Sequence, residues 1–200
     1  MAGLIRSFIA ILLDEPTRAA VAAEIERLQA LTPPRQRAVA WVPRQNLHLT
    51  LKFLGEQSPE RLGDARAALE EAAGTTAPFA LNLHGTGAFP GLERPRVLWV
   101  GVAEGALEAR ALQSRVEQAL GARGFAREAR PWHPHLTIGR VFDPRRWQRD
   151  AGPALREALA RGGSTAHGRL TVSRVSLMRS DLSPSGARYS ELDSLALGGV

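Results

Sequence analysis

Apolar side chains fall at every second position from Leu47 to Phe53, and His48, Thr50 and Lys52 fill the positions between them. A period of two marks a half-buried strand, so Leu47, Leu49, Leu51 and Phe53 are predicted to face a core and the three polar residues an open surface. The pattern returns once. Leu136 and Ile138 alternate with His135 and Thr137, flanked by Pro131, Trp132 and Pro134. His48 and His135 lie 87 positions apart in a chain of 200, close to half its length, which points to one strand-and-helix unit occurring twice.

Around these two strands the chain alternates strand and helix. Leu4 to Leu13 is a predicted strand, and Thr17 to Leu31 carries a 3.6 period (Ala20, Val21, Ile25, Leu28) begun by Pro16 in the first turn. A polar loop through Pro33, Pro34 and Arg35 leads to Ala38 to Val42 and the first histidine strand. Ser58-Pro59 places a capping serine before a proline and opens a helix over Glu60 to Ala73. Phe79 to His84 alternates again, Gly85, Gly87, Pro90 and Gly91 predict a loop, and Arg96 to Val102 is an apolar strand. A helix from Ala106 to Leu120 is stopped by Gly121 and Gly124. Beyond the second histidine strand the pattern predicts a helix around Arg145 to Arg161, a Gly162-Gly163 turn, and strands near Arg169 to Arg179 and Arg188 to Leu197. No low-complexity linker divides the chain, and the segment at 85–95 is the best boundary between two lobes of one domain spanning residues 1–200.

Composition narrows the setting. A chain of 200 residues, 44% hydrophobic, buries a substantial core as one large domain or two fused lobes. The absence of cysteine excludes disulfides and thiolate metal sites. The apolar run before Asp14, Glu15 and Pro16 has no small-residue cleavage site, so it reads as a first strand and not as a signal peptide. Nothing reaches the roughly 18 apolar residues of a membrane span. A cytoplasmic protein with no membrane contact is expected. The net charge of +6 is almost all arginine, Lys52 being the sole lysine. That usage has two readings: a genome bias with a solvated basic surface, or a surface for a polyanion such as RNA.

Two imidazoles facing one cleft have three chemical readings. Each could be an ordinary half-buried histidine, although a repeat of His-x-Thr in matching strand context argues against that. Zinc would want a third protein ligand, and there is no cysteine, no His-Glu-x-x-His helix, and no carboxylate on the open parity of either strand. The third reading is a metal-free pair, one imidazole taking a proton while the other gives one, each contributing a factor of about 10² to 10⁴. Thr50 and Thr137 then offer hydroxyls to a non-bridging phosphate oxygen.

His48-Leu49-Thr50-Leu51 and His135-Leu136-Thr137-Ile138 stand beside further features: Arg6 to Leu13 followed by acidic residues and a proline, the run from Asn46 to Gly55, Gly87 to Pro90 before Val97 to Gly101, and Arg140 three residues after Thr137. With these the chain resembles the 2H phosphoesterase superfamily, in particular its RNA 2′,3′-cyclic phosphodiesterase branch, historically called 2′-5′ RNA ligase. The resemblance implies an α+β, bilobal fold in which two pseudo-symmetric, antiparallel-rich sheets line a central cleft with helices outside. It implies hydrolysis of RNA 2′,3′-cyclic phosphate ends to 2′-phosphates without metal or cofactor, His48 as proton donor, His135 as proton acceptor, and Thr50, Thr137 and Arg140 on the phosphate. The expected partners are RNA with a cyclic phosphate end, tRNA fragments among them, or nucleoside 2′,3′-cyclic phosphates, met by a monomer. ATP-independent 2′-5′ ligation is the reverse reaction. The alternatives are another cyclic phosphate or RNA 3′-end, or an RNA-end binder without turnover.

One detail conflicts with simple alternation: Arg140 shares the parity of Leu136 and Ile138, so only a bulge or a strand end near Gly139 would turn it toward the cleft. His84 and His133 are expected to be structural, His167 to lie in a loop, and Lys52 to line the cleft or end the strand in solvent. Trp41, Trp99, Trp132 and Trp147 are expected to pack in the core or at its rim.

Overall fold

The computed structural model describes residues 3–33, 37–184 and 186–198. Pro34 and Arg35 of the predicted polar loop lie outside them. Among the described residues the strands are β1 (Ile5–Leu12), β2 (Val39–Trp41), β3 (His48–Gln57), β4 (Phe79–Phe89), β5 (Val97–Val102), β6 (His135–Val141), β7 (Ala166–Val172), β8 (Arg174–Ser183) and β9 (Gly186–Ala196). The helices are α1 (Glu15–Ala30), α2 (Pro59–Gly74), α3 (Ala106–Ala122), α4 (Trp147–Asp150) and α5 (Gly152–Arg161). Two sheets form, of order β3-β1-β8-β9 and β2-β6-β5-β4-β7. Every pairing in both is antiparallel.

Two helices begin at side-chain caps. Ser58 Oγ, the cap expected from the sequence, accepts from the Arg61 amide at 3.3 Å, and Asp14, which sequence reasoning passed over, accepts from the Thr17 amide at 3.0 Å, each satisfying a donor that the first turn leaves without a partner. Val21, Ile25 and Leu28 of α1, Leu62, Ala65 and Leu69 of α2, and Leu112, Val116 and Ala119 of α3 form buried stripes at helical spacing. These stripes and the inner faces of both sheets belong to one continuous apolar core. Among the described residues no helix is long and apolar enough to cross a membrane.

Three predicted elements come out differently. Of the stretch predicted as a loop after His84, Gly85 and Gly87 lie in β4, which continues to Phe89, and only Pro90 and Gly91 fall in the turn that follows. Gly85, at φ +73°, makes the bulge that lets it continue, and Gly87 lies so close to the Trp99 ring that a Cβ would stand 2.3 Å from it. The single helix expected around Arg145 to Arg161 is α4 followed by α5, separated where Gly152 takes φ +73°. The strand expected near Arg169 to Arg179 is β7 and β8, which join different sheets.

The segment at 85–95 spans the end of β4 and the turn into β5, its neighbour in the five-stranded sheet. The four-stranded sheet instead unites β1 and β3 with β8 and β9 from the far end of the chain.

Candidate active site

Register places the first histidine. Where β1 pairs with β3, Leu12 stands opposite His48, Ala10 opposite Thr50 and Phe8 opposite Phe53. Directly opposed residues of antiparallel strands share a face. His48, Thr50 and Phe53 therefore stand with Phe8, Ala10 and Leu12, a face covered by a small apolar cluster with Met178 and Tyr189 and set apart from the main core. Leu49 and Lys52, opposite Ile11 and Ile9, take the other face.

This arrangement overturns strict alternation beyond Thr50. The register slips between Ile9 and Ala10, leaving Leu51 as the extra residue of a bulge. Phe53, expected in the core, is 62% exposed, and Lys52, expected in the cleft or in solvent, is 8% exposed. Its ammonium lies 2.8 Å from Glu117 Oε1 and donates to the Ala126 carbonyl at 2.8 Å.

The second histidine strand repeats the device at the same interval. Trp99 pairs with Thr137, Leu98 with Gly139 and Val97 with Arg140, so Ile138 is the extra residue. Beyond that bulge Arg140 returns to the face of His135 and Thr137, opposite to what alternation predicts. Leu51 and Ile138 are 87 positions apart, as the histidines are, and so are Phe53 and Arg140. Phe53 thus occupies in one half the place that Arg140 occupies in the other. Sequence reasoning passed over Phe53, although the repeat interval alone pairs it with Arg140.

β3 and β6 face one another across the junction of the sheets. Trp132, in the segment before β6, donates its indole N–H to the Thr50 carbonyl at 3.1 Å and ties the two motifs together. The imidazoles are held alike. His48 Nδ1 lies 2.7 Å from the Asn46 carbonyl, and His135 Nδ1 lies 2.7 Å from the His133 carbonyl. A carbonyl only accepts, so each Nδ1 carries the hydrogen and donates it, and each Nε2 is left for a ligand.

Phe8 and Tyr189 pack on the His48 ring at 4.8 and 5.2 Å between centroids, and Phe89 meets His135 edge-on at 5.0 Å. Burial pushes His48 below the ordinary histidine range, against the hydrogen bond to Asn46, and the positive charge of Arg140 adds to the depression. Burial likewise lowers His135 against its bond to His133, helped by His133 and Arg140. Arg140 therefore acts on both imidazoles.

The remaining candidates lie elsewhere. His84 stands on β4, opposite Gly101, which separates it from His135 in the same cross-strand row. His133 contributes its carbonyl to His135. His167, expected in a loop, is buried in β7, where the pairing with β4 slips and leaves it as the extra residue between Ala166 and Gly168. Trp147 is buried, Trp41 packs on the core, and Trp99 lies across Gly87 and Gly101. Among the described residues no group of three or more His, Cys, Asp and Glu is gathered as a metal site.

The model of the 2′-5′ RNA ligase superfamily matches residues 17–184. The chain is 36% identical over 154 residues to an RNA 2′,3′-cyclic phosphodiesterase of Aeropyrum pernix, covering 76% of this chain and 82% of the relative. To the protein of that name from Methanothermobacter thermautotrophicus it is 34% identical over 193 residues, covering 96% and 99%. Its fold matches the crystal structure of TT0787 of Thermus thermophilus with a TM-score of 0.73 at 34% identity, covering 98% and 99% of the two chains. It matches Escherichia coli LigT complexed with 3′-AMP with a TM-score of 0.72 at 25% identity, covering 98% and 99%. A match over most of its length, to sequence and fold alike, means that the chain belongs to the 2′-5′ RNA ligase superfamily.

Proposed function

We propose that the chain hydrolyses RNA 2′,3′-cyclic phosphate ends to 2′-phosphates with two histidines and no metal. The observation that carries this reading is the matched restraint on His48 and His135: each Nδ1 is tied to a backbone carbonyl two residues upstream, and neither Nε2 has a hydrogen-bond partner among the described residues. Two imidazoles fixed in one tautomer on facing strands suit an in-line displacement, which needs a base on one side of phosphorus and an acid on the other. The activity in the relatives' names and the 3′-AMP in the LigT complex support the same substrate class.

In this mechanism His135 Nε2 takes a proton from water as the water oxygen bonds to phosphorus. The bond from phosphorus to the 3′-oxygen breaks, and His48 Nε2 supplies the proton that the departing oxygen needs. A 2′-phosphomonoester and a 3′-hydroxyl result. The Thr50 and Thr137 hydroxyls donate to the non-bridging oxygens, and the Arg140 guanidinium balances their charge. Exposed Phe53 offers an apolar ring against which the terminal nucleoside packs. The reverse path, attack of a 5′-hydroxyl on the cyclic phosphate, is ATP-independent 2′-5′ ligation, and in water hydrolysis prevails. The duplicated halves act as one unit, a monomer in the cytoplasm.

The test is product analysis on an oligonucleotide ending in a 2′,3′-cyclic phosphate, with enzyme dialysed against EDTA. A 2′-phosphate formed at the undiminished rate is expected. A 3′-phosphate product, or activity lost to chelator and restored by zinc, would overturn the mechanism. Binding with no product at all would leave an RNA-end binder. An activated aryl phosphodiester, whose leaving group needs no proton, should rescue His48→Ala far better than His135→Ala, and the opposite rescue would exchange the two roles.

A further inference from the structure

Beside the cleft, where Arg140 follows the β6 bulge, lies a cavity of about 670 Å³. Arg94, Arg96, Arg140 and Arg145 line it, with Asp143 as the only carboxylate. Arg96, one residue before β5, flanks it beside the end of β6, its carbonyl accepting from the Val141 amide at 3.0 Å. The Asp143 carboxylate is itself engaged, taking the Arg145 amide at 2.9 Å. None of the four guanidiniums has a carboxylate partner among the described residues; Arg6 and Arg110 share that state on open surface, but these four surround one hollow. Four like charges held around one hollow repel one another, and an anion seated among them removes that cost.

We propose that this basin binds the internucleotide phosphate adjoining the terminal cyclic phosphate, so that the substrate is the end of a strand in preference to a mononucleotide. The inference rests on the hydrolytic reading above. Arg140 belongs to both places: it bears on the two histidines and lines the basin, so a chain with its terminal phosphate between the imidazoles runs its next phosphate toward Arg94, Arg96 and Arg145. A mononucleoside cyclic phosphate fills the cleft and leaves the basin empty. The contact is to backbone charge, so it favours length over base identity.

The experiment compares wild type with Arg94→Gln/Arg145→Gln and with Arg161→Gln/Arg169→Gln, which removes the same charge from paired arginines elsewhere. One measurement is the ratio of kcat/KM for a dinucleotide ending in a cyclic phosphate to that for the mononucleotide. The other is the salt dependence of binding of a labelled oligonucleotide with a 3′-phosphate. Wild type should favour the dinucleotide, and the basin variant should lose that preference while the control keeps it. The basin variant's slope of log K on log salt should fall by about 0.7 per arginine engaged, about 1.4 in all. Equal effects of the two double variants, or no effect of either, would overturn the basin. Wild type turning over neither substrate would sink the hydrolytic reading alone, since the slope still reports on the basin.

Discussion

Lys52→Met should cost stability and leave the chemistry intact. The ammonium and the Glu117 carboxylate are 2.8 Å apart, with side chains 8% and 17% exposed. At an effective dielectric constant of 20 that separation is worth about 6 kcal/mol of attraction. Taking the ions out of water costs several kcal/mol each, so the intact pair comes out near zero. Removing one ion strands the other, which typically costs about 3 to 5 kcal/mol. Glu117 would still accept from Gln113 Nε2 and from the Glu128 amide, both at 3.4 Å, so Lys52→Met should fall at the low end, about 3 kcal/mol. Glu117→Leu should cost at least as much, because the ammonium would keep only the Ala126 carbonyl. The double variant should cost much less than the sum of the singles. Urea unfolding of the four proteins gives this cycle, and turnover per folded molecule should stay near wild type in each. A Lys52→Met protein as stable as wild type but catalytically dead would return the ammonium to the cleft and refute the bulge-based account of β3.

Other variants probe the site itself. The kcat/KM profile should be a bell lying on the acid side of the usual histidine value of about 6.5, because burial depresses both imidazoles. Arg140→Gln removes a charge that opposes protonation of both, so its bell should move to higher pH, and an unmoved bell would mean that Arg140 does not act on the pair. Thr50→Ala and Thr137→Ala should each lose about 1 to 3 kcal/mol of transition-state stabilisation, roughly 5- to 150-fold in kcat/KM, and less than either histidine variant. Trp132→Phe keeps an aromatic ring and loses the bond to Thr50, so kcat should fall with little change in global stability; unchanged kcat would mean that this tie does not position the motifs.

Much of the fold was legible because short-range rules govern it. Ser58 marks the start of α2 through a backbone donor that only a local acceptor can satisfy, and Pro16 and Pro59 mark first turns, where a missing amide costs nothing. His48, Thr50, His135 and Thr137 stand out by a repeat that needs no tertiary information. The bulges were another matter: alternation tells which residues share a face only while the pairing register holds. Leu51 and Ile138 resemble any core residue, yet each is the extra residue that sends the following side chains to the opposite face. Lys52 and Phe53 were misassigned for that reason. Strand order was equally hidden, since the pairing of β8 with β1 joins residues more than 160 positions apart, beyond the reach of any periodicity.

The four-stranded sheet also has a consequence during synthesis. β1 and β3 leave the ribosome early, but the second edge of β1 is covered only by β8, whose last residue is Ser183. At about 5 to 20 residues per second, more than a hundred residues separate β3 from β8, a delay of roughly 6 to 25 s. For that time the nascent chain presents an open strand edge with Phe8, Ile9 and Ile11 along it, a template for pairing with the wrong chain. A chaperone that holds it until translation passes Ser183 would protect the site at its most vulnerable stage.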